Sequence, residues 1–208
     1  MFDCASCEHH ACRDGVDCFD AVDRVRELYQ EADEATMKLV RTAARIESEG
    51  YMQWPRALEI IRFARAAAFQ HVGVVFCIGL AVEAGTFAEL LETSGFQVSS
   101  VCCKACGIDK DELNLPQLDP KAERETMCSP LGQAALLEEA GTEINVVIGL
   151  CVGHDMLFSQ RSAAPVTTLV AKDRVLAHNP AGALYSGYWK RKLQSEQHSN
   201  RGSHPDRH

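Results

Sequence analysis

The chain has 208 residues, of which 46% are apolar and 24% charged, and this balance excludes a disordered, collagenous or low-complexity protein. Acidic residues exceed basic ones by 29 to 21, a net charge of −8, so nucleic acid and anionic membrane surfaces are not expected as partners. The ten cysteines are unusual. Because the start of the chain lacks the pattern of a secretory signal, we expect a cytoplasmic protein whose cysteines bind metal or take part in redox chemistry.

Residues 1–20 are polar and have no apolar periodicity, so only the cysteines of this segment could hold it in a fixed shape, and the alternative is that they are free surface thiols. The segment holds four cysteines, a pattern typical of metal ligands, although the spacing matches neither a zinc finger nor a bacterial ferredoxin. His9 and His10 are alternative ligands, and the spacing does not separate zinc from an iron–sulfur cluster. The predicted ligands of this amino-terminal site are Cys4, Cys7, Cys12 and Cys18.

Two helices are predicted after this segment. Apolar residues from Val22 to Ile46 recur every three or four positions, which predicts one amphipathic helix that ends near Gly50. Pro55 lies in the first turn of the next predicted helix, and apolar residues as far as Phe69 lie on the inner side of that helix.

Further along the chain, apolar runs rich in β-branched residues alternate with helix signals. Thr86 and Glu89 form a predicted capping box, Ser129 begins a second helix, and a short helix begins near His154. Strands separated by helices imply crossover connections, and therefore a three-layer α/β fold with a mainly parallel, four-stranded sheet. The four predicted strands lie near residues 72–79, 96–102, 144–151 and 166–170.

The last predicted helix begins at Asn179-Pro180 and continues through Tyr185 and Trp189. The sequence beyond it is polar and aperiodic, which is typical of disorder. The predicted organisation is a cysteine-rich metal-binding segment, an α/β domain and a disordered tail, over residues 1–20, 21–190 and 191–208 respectively.

A second group of cysteines falls where the predicted strands end. Because all parallel strands end at one edge of a sheet, and ligands bind there, we predict a site of Cys77, Cys103, Cys128 and Cys151 at this edge. Helix N-termini meet at the same edge and favour thiolates. Cys77 is an optional fourth ligand, since a lone buried cysteine is usually a small apolar residue. Because Cys102 is adjacent to Cys103, the sequence does not decide which of these two cysteines is the ligand.

Four polar residues are expected at the same edge as proton donors or orienting groups: His154 and Asp155 after the third strand, and Lys172 and Asp173 after the fourth. Three thiolates on a [4Fe–4S] cluster would leave one iron open as a Lewis acid toward an unknown small-molecule substrate. The enzyme hypothesis is therefore an iron–sulfur-dependent, non-redox lyase or hydrolase. The structural alternatives are a helix-capping histidine and a surface ion pair.

Two other functions remain open. In the first, zinc occupies the cysteine sites of a non-enzymatic binding module. In the second, the Cys103-x-x-Cys106 pair makes the chain a thiol redox protein with a redox partner, although no clear helix follows Cys106. Under the metal hypothesis, we expect the loop to carry Cys106 away from the sheet edge.

Several strings in this chain resemble the domain-of-unknown-function 1847 family. They are GLCVGHDMLF, APVTTLVAKDR, HNPAGALY, VVFCIGLAVEA, VCCK and MCSP, together with the cysteine-rich start. The resemblance extends from Cys4 to Tyr185 and implies a cysteine-rich, metal-binding protein of bacteria or archaea, with no established reaction. By position, the cysteines of the family would fall on both predicted cysteine sets.

Overall fold

The computed structural model describes residues 2–200, with side chains described through residue 196. The chain divides into two compact units, one ending at Met52 and the other beginning at Gln53. The first unit therefore contains two helices that the sequence analysis grouped with the α/β domain. Among the described residues, no helix is both long and apolar enough to cross a membrane.

The first unit contains two short 3₁₀ turns, Cys4–Ser6 and Ala11–Asp14, followed by helices α1 (Val22–Gln30) and α2 (Glu34–Gly50). The prediction of one continuous helix over this region was wrong. The chain breaks because Asp33 caps the start of α2, where its carboxylate accepts a hydrogen bond from the Thr36 N–H at 2.7 Å.

The second unit alternates strands with helices. In chain order, its elements are α3 (Arg56–Ala66), β1 (His71–Phe76), α4 (Ala81–Thr93), β2 (Gln97–Cys102), α5 (Pro130–Glu139), β3 (Ile144–Ile148), α6 (His154–Arg161), β4 (Val166–Val170), α7 (Ala181–Tyr185) and α8 (Gly187–Asn200). Short 3₁₀ turns at Ile78–Leu80 and Lys110–Leu113 lie between them.

The four strands form one sheet in the order β2-β1-β3-β4, and every neighbouring pair is parallel. Their register aligns Val101, Val75, Val147 and Thr168 in one row across the sheet. This arrangement confirms the predicted α/β fold with a four-stranded parallel sheet between flanking helices.

The central strands β1 and β3 carry the core. Residues 144–148 are buried throughout, as are residues 71–75, because β-branched side chains pack on both faces of a covered parallel sheet. Helices supply the large apolar side chains on either face, among them Leu91 from α4, Leu137 from α5 and Phe158 from α6.

Several helix boundaries differ from the predictions. Helix α4 begins at Ala81, and Thr86 lies in its interior, where the hydroxyl donates to the Val82 carbonyl; the predicted capping box was therefore wrong. The last predicted helix is two helices, because Ser186 between α7 and α8 has an extended backbone. Helix α8 continues to Asn200, beyond the predicted start of the tail, and residues 201–208 lie outside the described residues.

The strand order determines where a ligand site forms. The connection that leaves β1 runs to β2, and the connection that leaves β3 runs to β4 in the opposite direction, so the two connections diverge between the carboxyl ends of β1 and β3. In doubly wound α/β proteins this divergence opens a crevice, and ligands bind there. Cys77 follows β1, and the turn with Gly149 and Cys151 follows β3, on the two sides of this point.

Candidate metal centre

Four of the predicted cysteines lie at the carboxyl edge of the sheet. Cys77 directly follows β1, and Cys103 directly follows β2. Cys151 comes shortly after β3, and Cys128 lies just before α5. The first two are buried and the last two are half-buried. We refer to these four residues, Cys77, Cys103, Cys128 and Cys151, as the sheet-edge cluster.

The sulfurs of Cys103 and Cys128 are in contact, 3.8 Å apart. Two backbone hydrogen bonds hold this pair. The Ser129 N–H donates to the Cys103 carbonyl, and the Cys103 N–H donates to the Phe76 carbonyl, both at 2.8 Å. The sulfur beside Cys128 thus belongs to Cys103, whereas Cys102 is the last residue of β2, paired in register with Phe76.

The turn after β1 directs N–H groups toward two sulfurs. The Ile78 N–H donates to the Cys103 sulfur at 3.4 Å, and the Gly79 N–H bonds to Cys77. Lys172 reaches Cys77 from the loop after β4, with its Nζ 3.1 Å from the sulfur. Burial raises the pKa of Cys77, but the Gly79 N–H and the Lys172 ammonium outweigh burial, so the pKa lies below its usual value.

Cys103 behaves in the opposite way. Burial, together with the nearby sulfurs of Cys128 and Cys77, raises the pKa of the Cys103 thiol to about 12, although the Ile78 N–H opposes the change. Negative charge on all of these closely spaced sulfurs at once therefore requires an added positive charge among them.

Arg174 is a functional candidate that the sequence analysis missed. Its guanidinium donates to the Cys151 sulfur at 3.0 Å. This hydrogen bond, together with the nearby sulfurs of Cys151, Cys77 and Cys128, raises the pKa of Arg174 above its usual value. A single guanidinium therefore interacts with three members of the sheet-edge cluster. Arg174 directly follows the two predicted residues Lys172 and Asp173, and its place after the fourth strand is a sequence signal for this role.

The four predicted catalytic residues have different surroundings. Lys172 contacts a cysteine sulfur, with its Nζ 3.1 Å from that of Cys77. The Asp155 carboxylate accepts hydrogen bonds from backbone N–H groups at the start of α6, and the Asp173 carboxylate accepts those of Val175 and Leu176. These two aspartates therefore stabilise their own turns.

His154, the first residue of α6, is half-buried. Burial lowers its pKa, and the positive charges of Lys104 and Arg174 lower it further, whereas Asp155 raises it. The imidazole is therefore uncharged at neutral pH, the form that binds a metal or accepts a proton.

Cys106 lies near the start of α5, whereas the sequence analysis expected the loop to carry it away from the sheet edge. The sulfur of this exposed residue approaches the first turn of α5: a Cβ built on Gly132 would meet the Cys106 sulfur at 3.1 Å and the Ser129 hydroxyl at 2.6 Å. The loop folds back because the Lys110 ammonium pairs with Glu125 at 2.7 Å, and the Met127 N–H donates to the Ile108 carbonyl.

Gln133 on α5 is a second residue that the sequence analysis missed. Its side chain is completely buried, and its Nε2 donates to the carbonyls of Phe76 and Val101, near the ends of β1 and β2. Its Oε1 has no hydrogen-bond partner. A glutamine within an apolar helical stretch carries no sequence signal for this role.

The amino-terminal cysteines are all exposed. The Cys7 sulfur accepts the His10 N–H at 3.3 Å, and the Cys18 thiol donates to the Val16 carbonyl at 3.7 Å. Over the described residues of the whole chain, no group of three or more His, Cys, Asp and Glu side chains has the arrangement of a metal site. Both predicted metal sites therefore remain predictions.

Taken together, the fold and the edge define a doubly wound α/β protein with four cysteines at the carboxyl ends of its strands. The chain matches the family described as "Protein of unknown function (DUF1847)" over residues 15–169, and it belongs to that family. A relative from Methanocaldococcus jannaschii, named "Uncharacterized protein MJ0455", is 44% identical over 191 residues, which is 91% of this chain and 97% of the relative.

Proposed function

We propose that this protein binds a thiophilic metal through the sheet-edge cluster. The observation that carries the proposal is the 3.8 Å contact between the sulfurs of Cys103 and Cys128. Two thiolates on one tetrahedral zinc ion, with Zn–S bonds of about 2.3 Å, lie about 3.8 Å apart. The pair therefore has the separation that a shared ion requires.

The chemistry of the surrounding groups also fits a metal bound by thiolates. Thiolates are soft ligands that select zinc, copper(I) and iron–sulfur centres. N–H donors commonly surround such sulfurs and tune the centre, and here backbone N–H groups of Ile78 and Gly79 bond to two of them. This supports a site in which the ligands are already oriented.

Two metal centres were proposed from the sequence, a single zinc-type ion and an iron–sulfur cluster, and the single ion fits the sulfur contact better. In a [4Fe–4S] cluster each thiolate binds a different iron, so its ligands stand farther apart than two thiolates on one ion. The iron–sulfur cluster is the second candidate. The uncharged His154 near the edge favours it, because a proton acceptor there would serve an open iron acting as a Lewis acid on a small-molecule substrate.

The amino-terminal segment is proposed as a separate metal site. Its four exposed cysteines lie in a stretch without buried residues, so a metal would order it. The ligands would be Cys4, Cys7, Cys12 and Cys18, with His9 or His10 as a substitute for one.

A thiol redox function is the remaining alternative, and one observation changes its residues. The sulfur contact joins Cys103 to Cys128, so a reversible disulfide would form between these two rather than within the Cys103-x-x-Cys106 sequence.

Metal analysis of anaerobically purified protein tests the proposal. We expect bound metal in the wild type, with loss of the sheet-edge metal in Cys128→Ser and retention in Cys102→Ser, the matched control beside Cys103. Iron with sulfide and a brown colour would identify the cluster, and colourless protein with zinc would identify the single ion. Equal metal in Cys128→Ser and the wild type would contradict the proposal, whereas a metal-free protein that forms a reversible disulfide between Cys103 and Cys128 would indicate the redox function.

A further inference from the structure

We infer that Lys172 and Arg174 are the built-in counter-charges of a metal–thiolate centre that carries two net negative charges. This inference rests on the proposed function and deepens it, because it specifies the charge of the centre that the site accepts. A divalent ion bound by the four thiolates of the sheet-edge cluster has this charge, and two cations neutralise it. Desolvated charge of one sign is costly unless the opposite charge lies beside it.

The two cations come from one loop and contact different cysteines. The Lys172 ammonium lies 3.1 Å from the Cys77 sulfur, and the Arg174 guanidinium lies 3.0 Å from the Cys151 sulfur. These sulfurs belong to the segments that follow β1 and β3. The loop after β4 therefore brings one positive charge to each of the two central strand ends.

The loop is built to hold this position. The Asp173 carboxylate accepts the N–H groups of Val175 and Leu176, at 2.9 Å and 2.8 Å. The Asp173 N–H donates to the His178 ring, and the His178 N–H donates to the Asp173 carbonyl. Because its carboxylate caps this turn, the residue between the two cations stabilises the loop that presents them.

Gly79 leaves room for the ammonium. A Cβ at this position would lie 3.3 Å from the Lys172 Nζ, within the same turn whose N–H bonds to Cys77. The Cys77 sulfur thus has a backbone donor and an ammonium. This concentration of donors at one sulfur suits a thiolate that retains negative charge when it binds a metal.

The test measures Zn²⁺ affinity by competition with a chromophoric chelator, and thiolate ligation by the charge-transfer absorption of bound Co²⁺. The full chain is used, with the four amino-terminal cysteines replaced by serine so that only the sheet-edge cluster reports. The variants are Lys172→Met and Arg174→Met, which remove charge and keep an alkyl chain, and Lys172→Arg, which keeps the charge. Arg161→Met is the matched control, because this guanidinium pairs with Glu138 at 2.8 Å.

We expect each methionine variant at the loop to weaken Zn²⁺ binding by about 10- to 100-fold, the range seen when groups that support metal ligands are removed. The Co²⁺ charge-transfer band at saturation should be retained, because the thiolates themselves are intact. Lys172→Arg should restore most of the affinity, and Arg161→Met should match the parent. Restoration by arginine separates a charge effect from a general loss of folding.

Unchanged Zn²⁺ affinity in both Lys172→Met and Arg174→Met would overturn the inference and leave the proposed metal site standing. Weakened binding in Lys172→Met that Lys172→Arg does not restore would also overturn it, since the effect would then not follow charge. A parent protein without Co²⁺ charge-transfer absorption would instead refute the metal site itself, and the inference with it.

Discussion

Metal binding at the sheet edge should depend steeply on pH, because Cys103 must lose a proton to become a ligand. Burial and the neighbouring sulfurs raise the pKa of its thiol to about 12. At any pH below that value the thiol holds its proton, and a metal has to displace it. The affinity for metal therefore rises with pH, and it does so throughout the neutral and mildly alkaline range.

The size of this effect follows from one displaced proton. A group that stays protonated across the interval contributes about a tenfold change in affinity per pH unit, so Cys103 alone accounts for about 100-fold between pH 7 and pH 9. Cys77 contributes less at the alkaline end, because the Gly79 N–H and Lys172 keep its pKa below the usual value despite burial.

Zn²⁺ titrations at pH 7, 8 and 9 against a chelator of known pH dependence measure this slope. The same amino-terminal serine background confines binding to the sheet edge. Cys102→Ser is the control and should keep the full slope, whereas Cys103→Ser should bind weakly and lose about one proton from the pH dependence. A rise of less than about tenfold over the whole interval would refute the assignment of Cys103 as a protonated ligand.

Three further predictions concern stability and order. The metal-free protein should lose stability as pH rises from about 9 toward about 12, because the unfolded chain releases the Cys103 proton from about pH 9 whereas the folded protein keeps it up to about pH 12. Thermal unfolding measured against pH tests this prediction, and a melting temperature that does not change across this range would count against it. Cys7→Ser or chelation should speed proteolysis within residues 2–20 and leave the α/β unit folded, so an unchanged cleavage rate would exclude a metal in that segment. Gln133→Leu should cost about 1 to 2 kcal/mol in denaturant unfolding, since it removes two hydrogen bonds to strand ends but also an unpaired buried oxygen; a loss above about 4 kcal/mol would mean that the oxygen has a partner.

The sheet was predictable because its signal is local. Continuous β-branched runs between helix signals are typical of strands covered on both faces, and both central strands show this pattern. Parallel pairing then follows from the crossover helices. The strand order β2-β1-β3-β4 was not predictable, because it depends on which side of β1 the later strands take.

Helix boundaries failed where a single hydrogen bond outweighs apolar periodicity. Asp33 interrupts a stretch whose apolar spacing continues through it, because its carboxylate offers the Thr36 N–H a better partner than a preceding carbonyl. Thr86 resembled a cap but lies inside α4, where its hydroxyl bonds to Val82. Spacing alone does not distinguish these two uses of a short polar side chain.

The topology also placed the cysteines at one edge, since strand ends and helix starts meet there. It could not identify which donors reach them. Arg174 and Gln133 act across sequence separations of 23 and 57 residues, and such contacts leave no local pattern. Cys106 was misplaced for the same reason, because the loop that returns it to α5 is held by the Lys110–Glu125 ion pair.

X-ray absorption spectroscopy, recorded at the absorption edge of the bound metal, tests the central claim most directly. In the amino-terminal serine background, with zinc or the native metal bound, we predict nearest neighbours that are mainly sulfur, at about 2.3 Å for zinc. Cys128→Ser should lower the number of sulfur neighbours, and Cys102→Ser should leave it unchanged. Nearest neighbours that are only nitrogen or oxygen in the parent protein would contradict a thiolate-bound metal at this edge.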